Sequence, residues 1–273
     1  MKKYSVFRYY LLFLYYKLRI LIDCSEGRWR VMVSEVIHLG GVLLGRWIEM
    51  PGEICIKTIT TIWGRYKFVG DLHGQLVMNP SFERPDIEYF ISLMKEAIGK
   101  KENILFLDIG ANVGLYSVGV SNRIRSNHMV THAFEPDPIY CRLLLDNIKT
   151  NNIKNVTVHP IGLGDQRRTI NTTGFATNDN TVSKTIVPLT IRTLDSVLSK
   201  KDIKRFDRIF IKIDIEGQEE KALRGSVQFL QCRKPMLFLI EDCMNPTIVS
   251  YLYSHDFRLR CKITPYNSFW ELH

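Results

Sequence analysis

The stretch Asn103–Ser117, NILFLDIGANVGLYS, constrains the fold more than any other part of the chain. Ile104, Leu105, Phe106 and Leu107 form a short apolar run that leads into Asp108, Gly110, Asn112 and Gly114. A continuous apolar run bounded by turn residues predicts a strand buried on both faces, as in a parallel sheet. Val113–Val120 then opens a helix. Strand, tight turn and helix bring backbone N–H groups and a helix N-terminus up to a nucleotide-like ligand. Gly110 and Gly114 lack a Cβ, so they can take a positive φ or let a ligand approach the backbone. Asn112 stands where a third glycine is often found, and asparagine tolerates the left-handed region. Asp108 sets an anionic group at the strand end. A glycine-rich turn of this kind also serves as a plain connection.

The next unit narrows the choice. His128–Pro136, HMVTHAFEP, predicts a second strand, and Glu135 closes it 21 residues after Gly114. An acid about 20 positions past such a turn is where ribose hydroxyls are held. DIGANVG, then FEPDP, then IKIDIEGQE at Ile211–Glu219 resembles the FkbM family of S-adenosylmethionine-dependent methyltransferases. The resemblance runs from about Asn103 to the C-terminus, and the order and spacing of three motifs make it specific. It implies a Rossmann-like class I methyltransferase fold: α/β, a mainly parallel seven-stranded sheet, helices on both faces, and an N-terminal extension. It also implies S-adenosyl-L-methionine as cofactor. Asp108, Gly110, Asn112 and Gly114 would hold its amino-acid end and ribose, and Glu135 the ribose hydroxyls. Gly162, Leu163 and Asp165 would border the adenine. A side chain at Gly110 would, on this reading, occupy the cofactor's place.

The rest of the chain fits an α/β domain. Pro85–Gly99 predicts a helix with Ile87, Phe90, Ile91, Met94 and Ile98 on one face. We divide the chain before it, into a basic and apolar segment with short strands (1–84) and a methyltransferase domain (85–273). From Asn103 onward strand and helix patterns alternate, which predicts a parallel sheet covered on both faces. Arg167–Pro188 reads as a strand-and-loop insertion, Leu189–Thr193 as a short strand. Glu220–Leu230 reads as one helix burying Ala222, Leu223, Val227 and Leu230. Phe257–Ile263 and Phe269–Leu272 read as a closing hairpin.

Ligands bind beyond the carboxyl ends of the strands in such sheets. Four acidic strand ends therefore meet at one crevice: Asp108, Glu135, Asp214 with Glu216, and Glu241 with Asp242. Carboxylates are costly to bury unpaired, so a bridging ligand or cation is expected there, or else a solvated rim. Lys212, Asp214 and Glu216 stand at alternate positions and share one side of a strand. Methyl transfer is an in-line displacement that needs alignment first and a base for the acceptor proton second. Asp214 is the candidate base. Lys212 is the candidate for holding a developing alkoxide or an acidic group of the acceptor, with Glu216 beside them. The competing reading is a structural Lys212–Glu216 ion pair.

The segment lacks the Asn-Pro-Pro-aromatic motif of many adenine amino-methyltransferases, which favours an oxygen acceptor. The expected activity is O-methylation of a hydroxyl on a sugar, a glycan or a similar small molecule. Two other enzyme classes stay open. Asp214-Ile215-Glu216 resembles the paired-acid metal site of nucleotide-sugar glycosyltransferases. The crevice also suits an NAD-binding oxidoreductase, although the G-x-G-x-x-G spacing is missing. A non-catalytic binding module is the third alternative.

A net charge of +9 points to acidic partners, such as an anionic glycan or a phospholipid surface. Nucleic acid is the partner least expected. The six cysteines lie far apart with no Cys-x-x-Cys, which suits reduced thiols in the cytoplasm, and the seven dispersed histidines suggest no zinc site. Met1–Ile22 carries Lys2, Lys3, Arg8, Lys17 and Arg19 and no acid, around YYLLFLYY at Tyr9–Tyr16. That uncharged run is too short to span a bilayer. Basic charges attract anionic headgroups, each worth about 1 kcal/mol near such a surface, and tyrosine rings settle at the interface. We therefore expect a cytoplasmic protein in peripheral contact with the inner face of a membrane. A helix packed on the domain is the plainer alternative. Co-sedimentation with anionic vesicles at low salt should deplete the full chain from the soluble fraction more than a chain beginning at Asp23. Equal soluble fractions would favour the packed helix.

Overall fold

The computed structural model describes residues 54–69, 83–178, 181–241, 245–264 and 266–272. The basic segment 1–22 and Asp242 lie outside them. The first described elements are the antiparallel strands β1 (Ile54–Thr60) and β2 (Arg65–Val69). Helix α1 (Arg84–Gly99) leads into β3 (Ile104–Ile109), α2 (Leu115–Ile124), β4 (Met129–Phe134), α3 (Pro138–Thr150) and β5 (Val156–His159). The two-residue β6 (Gly162–Leu163) precedes a long hairpin, β7 (Arg168–Asn178) and β8 (Thr181–Arg192). One-turn helices α4 (Leu194–Val197) and α5 (Lys200–Ile203) lead to β9 (Arg208–Ile213). After α6 (Glu219–Arg224) and α7 (Val227–Leu230) come β10 (Met236–Glu241) and α8 (Pro246–Ser254). The hairpin β11 (Arg258–Cys261) and β12 (Asn267–Leu272) closes the fold.

Seven strands form one sheet in the order β5-β4-β3-β9-β10-β12-β11. The first five are parallel and β12 runs against both its neighbours. The chain leaves β3 in one direction and returns on its other side at β9. Where the strand order reverses in this way, a crevice opens beyond the strand ends. Strand alternation sorts the side chains into two cores. Ile104, Phe106 and Phe210 face α1 and α2, whereas Leu105, Leu107, Ile109, Ile209, Ile211 and Ile213 face the opposite layer. Phe90 of α1 is fully buried and meets Phe106 and Phe210 edge-on, with ring centroids 5.5 and 5.6 Å away. Among the described residues no helix is long and apolar enough to cross a membrane.

Several expectations change. The compact unit begins at Ile54, not at Pro85. Trp63, Tyr66, Phe68 and Val69 belong to the same core as α1, and α3 grips the backbone of β2. The Asn147 amide accepts from Lys67 N at 2.6 Å and donates to Lys67 O and Val113 O at 2.9 Å each. Asn151, one turn on, accepts from Arg65 N and donates to Arg65 O. These amides act as a neighbouring strand would. The segment expected to be strand and loop is instead the β7–β8 hairpin, with the short strand at Leu189 continuous with β8. Pro188 falls between the places where β8 pairs β1 and β6, so among the described residues β7 alone pairs with β8 there.

The single helix expected over Glu220–Leu230 is broken in two. Gly225 packs so closely on Gly164 that a Cβ there would lie 1.9 Å from the Gly164 carbonyl oxygen. The Asp195 carboxylate then accepts the N–H groups of Gln228 and Phe229 and restarts the helix. Val227 consequently turns outward, 38% exposed. Helix α8 was not expected. Its signal was the Asn245–Pro246 start, an N-cap side chain accepting from Thr247 N followed by proline in the first turn. Two of the dispersed histidines also meet. His132 Nδ1 lies 2.8 Å from His159 Nε2, and burial lowers the pKa of both, His132 to about 4. The pair is therefore neutral near pH 7, one ring donating to the other.

Asn147 is fully buried, and truncating it strands three backbone groups. Leaving a buried polar group unsatisfied costs roughly 1–3 kcal/mol. Asn147→Ala should therefore lower the unfolding free energy by at least about 2 kcal/mol in urea denaturation.

Candidate active site

The turn after β3 is built on contacts as much as on conformation. Gly110, Asn112 and Gly114 have φ of 80°, 50° and 91°. A Cβ on Gly110 would lie 1.9 Å from the Asp214 carbonyl oxygen, so the turns after β3 and β9 touch there. A Cβ on Gly114 would lie 2.5 Å from Leu144 Cδ1 of α3. A side chain at Gly110 would thus collide with the neighbouring strand end. Asp108 is fully buried on the same face as Phe106. Its Oδ2 accepts from Ser117 N at 2.9 Å and from the Ser117 hydroxyl at 2.5 Å, so it caps the first turn of α2. Its Oδ1 has no partner among the described residues. Burial pushes this carboxyl above its usual range, against the pull of Lys212 and the Ser117 bonds.

Glu135 follows β4 directly. Its Oε2 accepts from Asn112 N at 2.8 Å and its Oε1 from Asp137 N at 2.9 Å. Asp137 in turn caps α3. Both oxygens of Glu135 are therefore fixed in place beside the Gly110–Gly114 turn. Burial raises its pKa to about 7, although the two amides pull the other way.

Lys212 faces Asp108 directly across β3 and β9. The ammonium is almost fully buried and donates to Gly110 O and to Asp214 Oδ2, both at 3.1 Å. It also lies 5.2 Å from the Tyr116 ring centroid. Burial alone would lower its pKa, but Asp214, Asp108 and Glu83 outweigh that and raise it, so the charge is kept. The partner of Lys212 is therefore Asp214 and not Glu216. The strand ends at Ile213, and Glu216 sits exposed beyond it with a left-handed φ of 54°. The shared strand side expected for Lys212, Asp214 and Glu216 thus holds only for the first two. Glu219 shapes this turn, its Oε1 accepting from Ile215 N and Gly217 N.

Gly162 sits close to Pro136 and to Ile191 of β8. That places the start of β6 next to the strand end that carries Glu135. Leu163 is buried in the second core, and Asp165 pairs with Arg168 at 3.5 Å. Two acids complete the crevice. Glu83, at the N-terminus of α1, is buried with a φ of 48°, and Glu241 ends β10. Sequence reasoning missed Glu83, since a lone acid before a helix carries no periodic signal. Among the described residues no three His, Cys, Asp or Glu side chains group to hold a metal ion. The positive charge among the acids comes from Lys212.

A family model described as the methyltransferase FkbM domain matches residues 108–259, more than half of the chain. This chain belongs to the FkbM methyltransferase family. Among solved structures it is similar to methyltransferase FkbM from Methylobacillus flagellatus KT, with 19% identity and a TM-score of 0.42. That match covers 63% of this chain and 43% of the other, so this chain spans less than half of its length. It is also similar to precorrin-6y C5,15-methyltransferase from Geobacter metallireducens GS-15, with 15% identity, a TM-score of 0.42 and coverage of 68% and 85%. A third is M. jannaschii TYW2 in complex with AdoMet, with 11% identity, a TM-score of 0.42 and coverage of 81% and 86%. No curated protein matches.

As a member of the FkbM family the protein is an S-adenosylmethionine-dependent methyltransferase, which decides against the glycosyltransferase and oxidoreductase alternatives. Its sheet, with the reversal at β3 and β9 and one antiparallel strand, is the Rossmann-like class I methyltransferase arrangement. The crevice suits the cofactor. A buried carboxylate oxygen on Asp108 lacks a partner, and the Glu135 oxygens are held fixed with lone pairs to spare. Ribose hydroxyls donate best to an ionised carboxylate. Affinity for S-adenosylhomocysteine in calorimetry should therefore fall as pH drops through about 7, approaching about tenfold per pH unit below it. Glu135→Gln should bind weakly with no such dependence.

Proposed function

We propose that this FkbM-family methyltransferase methylates a hydroxyl of a sugar, a glycan or a similar small molecule. The observation that carries the reading is the Lys212-held carboxylate of Asp214 at the strand reversal, against the turn that would hold the cofactor. A hydroxyl is a poor nucleophile until its proton can leave, and a fixed carboxylate gives that proton somewhere to go. When bound, S-adenosylmethionine supplies the methyl group on a sulfonium that leaves as a neutral thioether. Asp108, the Gly110–Gly114 turn and Glu135 would hold the cofactor, with Gly162, Leu163 and Asp165 at its adenine end. Asp214 would accept the acceptor hydroxyl's hydrogen bond and align its oxygen. Lys212, which donates to Gly110 O and Asp214, would position Asp214 and leave its third N–H for a developing alkoxide or an acidic group of the acceptor. Glu216, exposed at the rim, would bind further hydroxyls of a polyol. The missing adenine-methylating motif and the basic charge agree with an oxygen acceptor of anionic or glycan character. The basic segment 1–22 would keep the enzyme near a membrane that carries such glycans.

A deproteinised cell extract incubated with enzyme and methyl-labelled S-adenosylmethionine should yield labelled methyl ethers, identified by mass spectrometry. Label on nitrogen or carbon would overturn the reading. Asp214→Asn should lose at least about a hundredfold in turnover while S-adenosylhomocysteine affinity stays near wild type. A collapse of that affinity would make Asp214 a cofactor ligand.

A further inference from the structure

The sheet itself sets Asp214 and Glu241 side by side. β9 and β10 are parallel, with Lys212 opposite Leu239 and Ile213 opposite Ile240. The next two residues in register are Asp214 and Glu241. Strand alternation puts both on the face that carries Phe210, Lys212, Leu237 and Leu239. The register therefore brings the two carboxyl groups side by side, where the charge of each bears on the other. Charged and titratable groups face the pair from every side. Lys212 comes from β9, Glu216 from the turn beyond it, Glu83 from the start of α1, and Tyr266 from the turn before β12. The Tyr116 hydroxyl is buried beside the pair, and Glu83, Asp86 and Asp214 are its charged neighbours, with Glu83 foremost.

We propose that Asp214 and Glu241 work as one proton-accepting pair, with Glu241 the member that takes up the acceptor hydroxyl's proton. The proposal rests on the hydroxyl-methylating reading above. As the oxygen–methyl bond forms, the methyl–sulfur bond breaks with its electron pair going to sulfur, and the hydroxyl proton passes to the pair. The pair enters this step with both carboxylates ionised and leaves it holding one proton. Lys212 keeps Asp214 charged, so the more basic site is Glu241. Burial first, then the neighbouring carboxyl of Asp214, then the charges of Glu216 and Glu83, push Glu241 up to about 8. An isolated glutamate lies near ~4.3, too acidic to draw a proton from a hydroxyl at neutral pH. A base tuned close to working pH serves best. The titration belongs to the pair, and turnover should rise with pH through its upper step.

The test is a 13C NMR titration of the full chain carrying side-chain-labelled glutamate. One glutamate should titrate near 8 in the wild type, vanish in Glu241→Gln, and move down by more than about one unit in Asp214→Asn as the like charge is removed. In parallel, label transfer into the cell extract is followed against pH. Wild type should gain up to about tenfold per unit below the upper step, and Glu241→Gln should be slow and flat. A wild-type Glu241 with an ordinary carboxylate midpoint would overturn the proposal, as would Glu241→Gln with the wild-type pH profile. S-adenosylhomocysteine binding and the atom that receives the label separate the two readings. With binding intact and label on oxygen, an ordinary Glu241 titration removes the pair alone. With label on nitrogen, the hydroxyl reading falls and the pair with it.

Discussion

One buried ammonium fixes the distance between the two halves of the crevice. Lys212 donates to the carbonyl of Gly110 on one side and to the carboxylate of Asp214 on the other, with Asp108 directly across the strand pair. Taking a charge out of water costs several kcal/mol, offset only by close partners of opposite sign. Here the partners are the acids that the site needs. Asp108, Asp214 and Glu83 each stabilise the ammonium, and it lets each of them stay where mutual repulsion would otherwise separate them. Lys212 is thus the tie that holds the turn after β3 and the end of β9 at a set spacing.

Behind that tie lies a stiff scaffold. The close approach of Gly110 to the Asp214 carbonyl leaves no room for a side chain between the ends of β3 and β9. Immediately below it, Phe90, Phe106, Phe210 and Tyr116 pack edge to face. Interiors of this density transmit strain and do not deform smoothly. The strand pair β1–β2 extends the same layer, bound by the Asn147 and Asn151 amides and by its own aromatic residues. The segment ahead of the matched family region is therefore part of the body that supports the site, and the helix α1 that follows it brings Glu83 to the crevice.

The distribution of charge separates long-range from short-range recognition. The chain is strongly basic overall, yet its crevice gathers Glu83, Asp86, Asp108, Asp214 and Glu241 around one lysine. The basic charge therefore lies elsewhere on the molecule, where its field reaches roughly a Debye length, about 8 Å in physiological salt. Within the crevice the excess of acid favours a cationic ligand such as a sulfonium. The molecule thus carries two fields of opposite sign, one in the crevice and one away from it.

The sequence by itself determined the parallel α/β core, the glycine turn after β3 and the acid, Glu135, that stands beside it. These rest on local signals: an apolar run too continuous to be half-exposed, glycines at the left-handed positions, and an acid at fixed spacing. Helix α1 and the closing hairpin were legible for the same reason, because periodicity reports burial directly. What tertiary structure decided are relations between distant segments. Lys212 chooses Asp214 over Glu216 because β9 ends at Ile213, which sends Glu216 out to solvent. The helix expected over Glu220–Leu230 breaks because Gly225 meets Gly164 and Asp195 caps the restart. The boundary of the unit falls at Ile54 because α3 supplies amides to β2. Glu241 gains its partner because β9 and β10 lie in register. Each of these depends on which backbone lies within hydrogen-bond reach of which side chain, and sequence periodicity carries no information about that.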